Sequence, residues 1–256
     1  MPVVLQLPKI LILIPARYAS SRFPGKPLAQ IAGKSMIQRV YESVAPANND
    51  LFTSQAHVVT DDSRIEEHVH KFGGNCIRVD DELSTGSERV YLAYKRFFSD
   101  QSFDLILNLQ GDEPLMDAEL LKEIIKFQLK SSFDIGTIVK KENDMIGFLD
   151  RNRVKAVFCP ESGRCLYFSR APVPYNESSV CDWYLHIGIY AYRPQALIKF
   201  FSLGPSLLEK REQLEQLRAL EAGLEIGAIV TKKKLMGVDT PKDLQEIEGV
   251  FCGKSE

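Results

Sequence analysis

Six basic side chains lie among the first 41 residues of this chain, and no acidic residue accompanies them. The chain as a whole is different, because its 256 residues include 34 acidic and 32 basic side chains. Arg17, Arg22 and Lys26 fall within IPARYASSRFPGKPL at positions 14–28, directly after an apolar run. Guanidinium forks, an ammonium group and free backbone N–H groups in such a loop can converge on phosphate oxygens. The segment predicts an anion-binding loop, and a solvated basic loop is the alternative.

Two aspartates could supply the opposite charge. Asp112 follows the apolar run 105–110 in the turn GDEP, and Asp239 stands in GVDTP at positions 237–241. Carboxylate oxygens suit Mg²⁺, which takes one or two of them and completes its coordination with phosphate and water. We therefore predict a Mg²⁺ site at Asp112, with Glu113 pointing elsewhere if the chain is extended there. Asp239 can equally be a helix-capping residue.

Several other kinds of site and protein are excluded. Gly33-Lys34-Ser35 resembles the end of a Walker A loop, but Leu28 occupies the position that requires glycine, and no G-x-G-x-x-G follows the first apolar run. A formal net charge of −2 provides no general attraction to nucleic acid. The apolar run 10–14 is too short to span a membrane. Five irregularly spaced cysteines indicate neither a zinc cluster nor a disulfide framework, and they favour a reducing cytoplasm.

The elements that must position these residues alternate between short β-rich runs and amphipathic segments. This alternation predicts an α/β fold with a mainly parallel central sheet flanked by helices, and ligand-binding loops at the carboxyl ends of its strands. Asp62 or Ser63 is expected to cap one helix and Thr240 another. The predicted strand–helix pairs are 10–14 with 35–45, 57–60 with 63–72, 75–79 with 86–98, and 104–110 with 117–130.

A different pattern follows in the second half of the chain. The chain is expected to form a single domain over 1–256, in which about 154–206 is a small inserted β lobe for sugar binding and dimerisation. A polar stretch at 176–182 interrupts its strand-like runs, as in an inserted hairpin. Leu207, Leu214, Leu217 and Leu220 are expected to mark the buried face of one helix. Trp183 is either an interface residue or an ordinary packed aromatic.

Eight blocks, taken in order, closely resemble the 3-deoxy-manno-octulosonate cytidylyltransferase (CMP-Kdo synthetase) family. They are IPARYASSRFPGKPL at 14–28, VVTDD at 58–62, TGSERV at 85–90, NLQGDEPL at 108–115, LYFSRAPVP at 166–174, HIGIYAYR at 186–193, LEQLRALE at 214–221 and GVDTPKDL at 237–244. The family commonly has S-G-T where this chain has Thr85-Gly86-Ser87, and both changes keep a hydroxyl. The resemblance implies a nucleotide-diphospho-sugar transferase-like (Rossmann-like) fold. It also implies a cytoplasmic homodimer that converts CTP and Kdo into CMP-Kdo and pyrophosphate for lipopolysaccharide biosynthesis.

By the same resemblance, each group of site residues has an expected role. The catalytic residues would be Arg17, Lys26 and Asp112. CTP would be bound by Ala16, Arg17, Arg22, Lys26, Thr60, Asp61, Gly86, Ser87, Arg89, Gly111 and Asp112. Mg²⁺ would be bound by Asp112 and Asp239. The sugar would be bound by Gln110, Arg170, His186, Tyr190, Glu212 and Gln216.

The sugar-side residues leave one choice open. Glu212 and Gln216 are separated by four positions and would share one face of a helix, while Glu215 is a competitor for the role of Glu212. Two alternatives to the implied function also stay open. One is a cytidylyltransferase for another acidic sugar, such as 8-amino-Kdo or a sialic acid, and the other is a non-catalytic nucleotide-binding regulator.

Overall fold

The structure is a computed structural model, and it describes residues 6–19, 23–44, 50–83, 85–175 and 182–253. The chain forms two compact units. The first unit comprises Met1–Leu121 with Lys234–Glu256, and the second comprises Lys122–Lys233. Within the described ranges, no helix is long and apolar enough to cross a membrane.

Strands and helices alternate through much of the chain. The strands are Lys9–Ala16 (β1), Gln30–Ile31 (β2), Lys34–Ser35 (β3), Thr53–Thr60 (β4), Cys76–Arg78 (β5), Leu105–Asn108 (β6), Ile135–Glu142 (β7), Lys155–Cys159 (β8), Arg164–Ser169 (β9), Trp183–Tyr192 (β10) and Ile226–Thr231 (β11). The α-helices are Met36–Val44 (α1), Ser63–Lys71 (α2), Gly86–Phe97 (α3), Ala118–Lys130 (α4), Met145–Leu149 (α5), Pro194–Ser202 (α6), Leu207–Glu212 (α7), Gln216–Glu221 (α8) and Pro241–Phe251 (α9).

The first unit is built on a parallel sheet in the order β5-β4-β1-β6. Ile10 to Ile14 of β1 are fully buried, as expected for a central strand covered on both faces. β1 and β6 pair in register from Ile10 opposite Leu105 to Leu13 opposite Asn108. Both strands therefore end at the same edge of the sheet, which is where the residues after β1 and after β6 meet.

Helix capping agrees with the sequence prediction at two helix starts. The side chain of Asp62 accepts a hydrogen bond from the backbone N–H of Arg64 at the start of α2. Thr240 forms a capping box with Asp243 at the start of α9, and Pro241 is the first helical residue. Each cap contributes about 1 kcal/mol to helix stability. The cap at Thr240 also directs the chain out of the 237–239 loop, so it helps to position Asp239.

The second unit contains a mixed sheet, and the prediction of a mainly parallel sheet is wrong here. The strand order is β10-β7-β11-β9-β8, with a further pairing between β10 and β8. Only β7 and β11 run parallel among the pairs described in this unit. One antiparallel pair, β8–β9, follows from its tight connection around Gly163, which has a φ of +72°. A short turn can join only antiparallel strands.

The predicted lobe at 154–206 is not confirmed as a separate element. Its strands β8, β9 and β10 belong to the same sheet as β7 and β11. The predicted polar hairpin falls on 176–182, and of these residues only Asp182 lies within the described ranges. Trp183 is a packed aromatic in this unit, since it is 1% exposed and its Nε1 donates to the carbonyl of Asp144 at 3.1 Å.

The helix predicted from Leu207, Leu214, Leu217 and Leu220 is divided into two helices, α7 and α8. Gln213 has a φ of +54°, a left-handed conformation that ends α7, and α8 begins only at Gln216. Leu214 and Leu217 are buried as expected, whereas Leu207 is 60% exposed. The expectation that Glu212 and Gln216 share a helix face is therefore wrong, because the chain reverses its backbone conformation between them.

Candidate active site

The basic loop after β1 brings its described ends together. Gly25 N donates to the carbonyl oxygen of Tyr18 at 2.9 Å, which closes the loop across its neck. Arg17 is exposed at the end of β1, and its Nη1 donates to the carbonyl oxygen of Leu83 at 3.2 Å. Lys26 begins a short 3-10 turn, Lys26–Leu28. Arg22 lies outside the described residues.

Lys26 joins the two predicted acidic residues. Its Nζ donates to Asp112 Oδ2 at 2.6 Å and to the carbonyl oxygen of Val238 at 2.8 Å. The same Nζ lies 3.6 Å from Asp239 Oδ1. The side chain of Lys26 is 14% exposed, so these charges interact in partly desolvated surroundings where Coulombic attraction is stronger than in water. Asp112 and Asp239 thus face one point although they are far apart in sequence.

Backbone contacts explain how this convergence is built. Val238 N donates to the carbonyl oxygen of Asp112 at 2.9 Å, which ties the 237–239 loop to the turn after β6. Gly111 lies so close to β1 that a Cβ on it would stand 2.8 Å from the carbonyl oxygen of Pro15. A side chain at this position would force the two strand ends apart. Glycine is therefore required for Asp112 to reach Lys26.

Glu113 is a third carboxyl group at this edge. The chain turns here, since Glu113 N donates to the Gln110 carbonyl at 3.3 Å, so the extended conformation that would send Glu113 away is not present. Its Oε2 atom is enclosed and has no hydrogen-bond partner among the described residues. Burial, and then the charges of Asp112 and Asp239, raise the pKa of Glu113 to about 8 against the opposing effect of Lys26.

The residues expected on the nucleotide side are tied together within the protein. Arg89 is 1% exposed, and it donates to Asp61 Oδ2 at 2.6 Å and to the carbonyl oxygen of Val79. Burial lowers the pKa of Arg89, although a guanidinium stays protonated. Ser87 Oγ accepts from Asn108 Nδ2 at 3.1 Å. Thr60 is fully buried, and its hydroxyl oxygen accepts from Asp62 N at 3.2 Å.

A cavity of about 490 Å³ opens at this edge of the sheet. It is large enough for a small-molecule ligand. Its lining includes eight of the predicted site residues, namely Ala16, Arg17, Lys26, Gly86, Gln110, Gly111, Asp112 and Asp239. The cavity therefore combines basic groups, carboxylates and the start of α3, where backbone N–H groups favour an anion.

In the second unit, Glu212 and Arg170 bind each other and the backbone. Glu212 accepts from Ser169 Oγ at 2.6 Å and from Arg170 N at 2.9 Å. The guanidinium of Arg170 donates to the carbonyl oxygens of Glu212, Gln213 and Arg151 at 2.9, 3.3 and 3.1 Å. These bonds hold the α7–α8 junction against the end of β9. Both side chains have structural partners here.

His186 and Tyr190 lie along β10 with their rings 5.6 Å apart. Thr137 Oγ1 lies within hydrogen-bond distance of the carbonyl oxygens of Ile187 and Ile189, at 3.2 and 2.8 Å. The same hydroxyl is hydrogen-bonded to His186 Nε2 at 3.0 Å, which fixes the position of the imidazole ring. Burial lowers the pKa of His186 to about 3 and raises that of Tyr190. Both groups are neutral near pH 7.

The buried histidine gives a testable pH dependence. Its pKa is about 3 in the folded protein and near 6.5 in the unfolded chain, so the unfolded chain binds the extra proton between these values. The contribution of neutral His186 to the free energy of unfolding is complete above pH 6.5, and it is lost as pH falls. The free energy of unfolding of the native protein should therefore fall as pH is lowered, by about 1.4 kcal/mol for each pH unit below 6.5 more than that of His186→Asn. Urea unfolding at pH 7, 6 and 5 measures this, and parallel curves would contradict it.

Gln216 is buried at the start of α8, whereas Glu212 is the last residue of α7. Gln216 is 5% exposed, and its Nε2 has no hydrogen-bond partner in the described part of the chain. Adjacent Glu215 interacts electrostatically with both Tyr190 and Tyr192, and its charge helps to raise their pKa values after burial. Glu215 is therefore near enough to Tyr190 and Tyr192 for its charge to act on both.

Comparison with known proteins identifies the family. A family model described as cytidylyltransferase matches residues 11–226. The 3-deoxy-manno-octulosonate cytidylyltransferase of Cytophaga hutchinsonii is 41% identical over 246 residues, covering 93% of this chain and 96% of that protein. The chain belongs to the 3-deoxy-manno-octulosonate cytidylyltransferase family. The family is one of nucleotidyltransferase enzymes, which confirms the resemblance carried by the eight sequence blocks.

Solved structures confirm the fold of this family member. A structure of CMP:2-keto-3-deoxy-manno-octonic acid synthetase complexed with CTP matches with a TM-score of 0.87 at 33% identity, covering 96% of this chain and 100% of that one. The 4-diphosphocytidyl-2C-methyl-D-erythritol synthase of Anaerococcus prevotii matches with a TM-score of 0.64 at 14% identity, covering 96% of this chain and 99% of that one. The chain therefore has the nucleotide-diphospho-sugar transferase-like α/β fold.

The carboxylates of this cytidylyltransferase fit a divalent cation. Asp112 and Asp239 already converge on one positive group, the Lys26 ammonium. No cluster of three or more His, Cys, Asp or Glu side chains able to hold a metal occurs among the residues that the structure describes. Two carboxylates alone suit a hard ion that takes its other ligands from phosphate and water, rather than a metal caged by protein.

Three participants were not foreseen from the sequence. They are the enclosed carboxyl of Glu113 and the backbone carbonyl oxygens of Val238 and Leu83, which accept from Lys26 and Arg17. The place of Glu113 could have been predicted from the sequence, because a carboxyl group next to a metal-binding candidate in a turn can reach the same site. The carbonyl oxygens carried none, since every residue has one.

Proposed function

We propose that this protein transfers CMP from CTP to 3-deoxy-D-manno-octulosonate (Kdo), giving CMP-Kdo and pyrophosphate, with Mg²⁺ as its metal. Membership of the cytidylyltransferase family supports the reaction class. The observation that carries the proposal is the placement of the Lys26 ammonium between Asp112 and Asp239 in a cavity that Arg17 also lines. Such a site combines groups that bind phosphate with groups that bind a cation.

The transfer is a substitution at phosphorus. The anomeric hydroxyl oxygen of Kdo attacks the α-phosphorus of CTP, a new P–O bond forms, the bond to the β-phosphate bridging oxygen breaks, and the hydroxyl proton passes to solvent. Positioning and charge neutralisation dominate such reactions. Arg17, Arg22 and Lys26 would hold the phosphates, and Lys26 with Arg17 would offset the negative charge that develops on pyrophosphate.

Asp112 and Asp239 would bind Mg²⁺. When bound, the ion would supply positive charge to the phosphate oxygens, which is worth several kcal/mol in phosphoryl transfer. On binding CTP, the Lys26 ammonium would exchange carboxylate contacts for phosphate contacts. The short distances from Lys26 to these carboxylates support a site prepared for that exchange.

The remaining predicted residues would recognise the two substrates. For the nucleotide we propose Ala16, Thr60, Asp61, Gly86, Ser87, Arg89 and Gly111, of which the buried Arg89–Asp61 pair would shape the site rather than move on binding. For the sugar we propose Gln110, Arg170, His186, Tyr190 and Gln216, together with either Glu212 or Glu215. Neutral His186 would bind and orient rather than act as a base, because its pKa of about 3 leaves it weakly basic.

The choice between Glu212 and Glu215 can be tested directly. Glu212 is already bound by Ser169 and Arg170, whereas Glu215 is adjacent to Gln216 and interacts with Tyr190. We expect Glu215→Gln to raise KM for Kdo about tenfold, the effect of about one charged hydrogen bond. Glu212→Gln should mainly lower the melting temperature, since it weakens the Ser169–Arg170 network. A rise in KM confined to Glu212→Gln would instead assign the sugar contact to Glu212.

The wider assignments complete the proposal. We propose a cytoplasmic homodimer in which 1–256 works as one cytidylyltransferase domain for lipopolysaccharide biosynthesis. Free cysteines at Cys76, Cys159, Cys165 and Cys252 agree with a reducing compartment. Sedimentation of the purified protein tests the dimer.

Pyrophosphate release from CTP, Kdo and Mg²⁺ is the decisive experiment. We expect release that requires all three components, with 8-amino-Kdo and sialic acid turned over less efficiently. Faster turnover with either of those sugars would reassign the acceptor. Calorimetric binding of CTP and Kdo without pyrophosphate release would instead identify a nucleotide-binding regulator.

A further inference from the structure

Tyr18 has no role in the proposed chemistry, yet it lies in the basic loop and contacts the residue next to Lys26. Its carbonyl oxygen accepts from Gly25 N at 2.9 Å. Its ring lies against the same glycine, where an added Cβ would stand 3.2 Å from the ring Cζ, at a φ of +71°. One residue thus contacts the far end of the loop through both its backbone and its ring. Arg17 directly precedes Tyr18, and Lys26 directly follows Gly25.

The outer face of Tyr18 is covered by Arg64. The guanidinium carbon of Arg64 lies 3.3 Å from the centre of the Tyr18 ring, a close cation–π arrangement. Asp62 fixes the plane of that guanidinium through two bonds, from Nε at 2.9 Å and from Nη2 at 2.6 Å. Asp62 itself follows β4, the strand that pairs with β1 in register. A continuous series of contacts therefore runs from the sheet edge through Asp62 and Arg64 to Tyr18.

This arrangement differs from the ordinary arginine–aspartate pairs on the surface. Arg96 makes a similar two-bond pair with Asp81, at 2.5 and 2.8 Å, and is comparably exposed. Exposed pairs of this kind contribute little to stability, typically below about 1 kcal/mol. What distinguishes Arg64 is the ring beneath it, which belongs to the phosphate loop.

We propose that Arg64 and Tyr18 are positioning residues for CTP binding, in which the guanidinium held by Asp62 stacks on Tyr18 and fixes the neck of the loop. The neck sets the separation of Arg17 and Lys26 before CTP arrives, so less conformational entropy is lost when the phosphates bind. Neither Arg64 nor Tyr18 needs to touch the nucleotide. The inference rests on the proposed placement of the CTP phosphates on Arg17 and Lys26.

Calorimetry with CTP alone measures the effect without relying on turnover. Arg64→Ala is expected to weaken CTP binding about fivefold, which corresponds to loss of one partly exposed cation–π contact. KM for CTP should rise by a similar factor while KM for Kdo stays unchanged. The variant keeps the start of α2, because the helix cap uses the backbone N–H of residue 64 and not its side chain.

Tyr18 variants separate positioning from direct contact. Tyr18→Phe keeps the ring and should retain CTP affinity, whereas Tyr18→Leu should weaken it as much as Arg64→Ala does. The double variant Tyr18→Leu/Arg64→Ala should bind CTP no more weakly than either single variant, because both changes remove the same contact. A further additive loss would mean that Arg64 touches the phosphates itself, and it would overturn the proposal.

Two further variants separate the positioning role of Arg64 from the placement of CTP. Arg96→Ala removes a similarly paired arginine that lies over no loop ring, and it should leave CTP affinity unchanged. Lys26→Ala in the same assay tests the phosphate site: if it does not weaken CTP binding, the proposed placement of CTP fails. If Lys26→Ala weakens binding but a folded Arg64→Ala does not, the positioning role alone is wrong. Should Tyr18→Leu fail to fold, the Arg64→Ala result decides.

Discussion

Asp112→Asn is expected to lower kcat by about three orders of magnitude at saturating CTP and Mg²⁺, while the fold survives. The change keeps the size of the side chain and one oxygen that can accept from Lys26. It removes the negative charge that would hold Mg²⁺ against the phosphates, and loss of about 4 kcal/mol of transition-state stabilisation corresponds to this factor. Coupled detection of pyrophosphate, with circular dichroism and thermal melting on the same sample, measures both effects.

A matched control is available for this variant in the first unit. Asp81 is also an aspartate paired with a basic side chain, Arg96 at 2.5 Å, but it lies outside the cavity. Asp81→Asn should leave kcat within about twofold of the native value, as substitutions outside a binding cavity usually do. A near-normal rate for Asp112→Asn would remove Asp112 from the metal site.

Lys26→Ala is expected to lower kcat/KM for CTP by about two to three orders of magnitude. The ammonium would contact phosphate oxygens in partly desolvated surroundings, where one charged donor contributes about 3–4 kcal/mol in the transition state. The substitution also leaves Asp112 and Asp239 close together without the cation that now separates their charges. Steady-state kinetics with varied CTP at fixed, saturating Kdo and Mg²⁺ measures the loss.

Lys34→Ala provides the comparison for Lys26→Ala. Lys34 is a lysine of the same N-terminal region, paired with Glu42 at 2.5 Å and half-exposed, and it does not line the cavity. Its replacement should change kcat/KM by less than about twofold. An unchanged kcat/KM in Lys26→Ala would mean that the loop is only a solvated basic loop, despite its contacts with the carboxylates.

Several features of the fold could be predicted from local patterns. The apolar run 10–14 predicted a central strand, and all five of its residues are fully buried. Asp62 and Thr240 predicted helix starts, and both side chains cap their helices. These predictions succeed because strand burial and capping depend on residues within a few positions of each other. The basic residues of 14–28 predicted an anion site on local grounds too, and that site is part of the proposed function.

The errors occurred where distant segments decide the outcome. Glu212 and Gln216 have the spacing of one helix face, but the left-handed Gln213 separates them into α7 and α8. Arg170 stays a proposed ligand of the sugar carboxylate, but its hydrogen bonds to three backbone carbonyl oxygens were not predictable from the sequence. A long charged side chain has many partners within reach, and the one that it binds depends on which loops the sheet brings beside it.

The sequence by itself determined that this chain has a basic loop after a buried strand, acidic residues after later strands, and the ordered motifs of its family. Only the tertiary structure decided that Lys26 lies between Asp112 and Asp239, that Glu113 is enclosed beside them, and that Arg64 covers Tyr18. The physical reason is that charge and periodicity are local properties of a chain. The distance between two charges is instead set by strand register and by loop contacts such as Val238 N to the Asp112 carbonyl, which no single segment encodes.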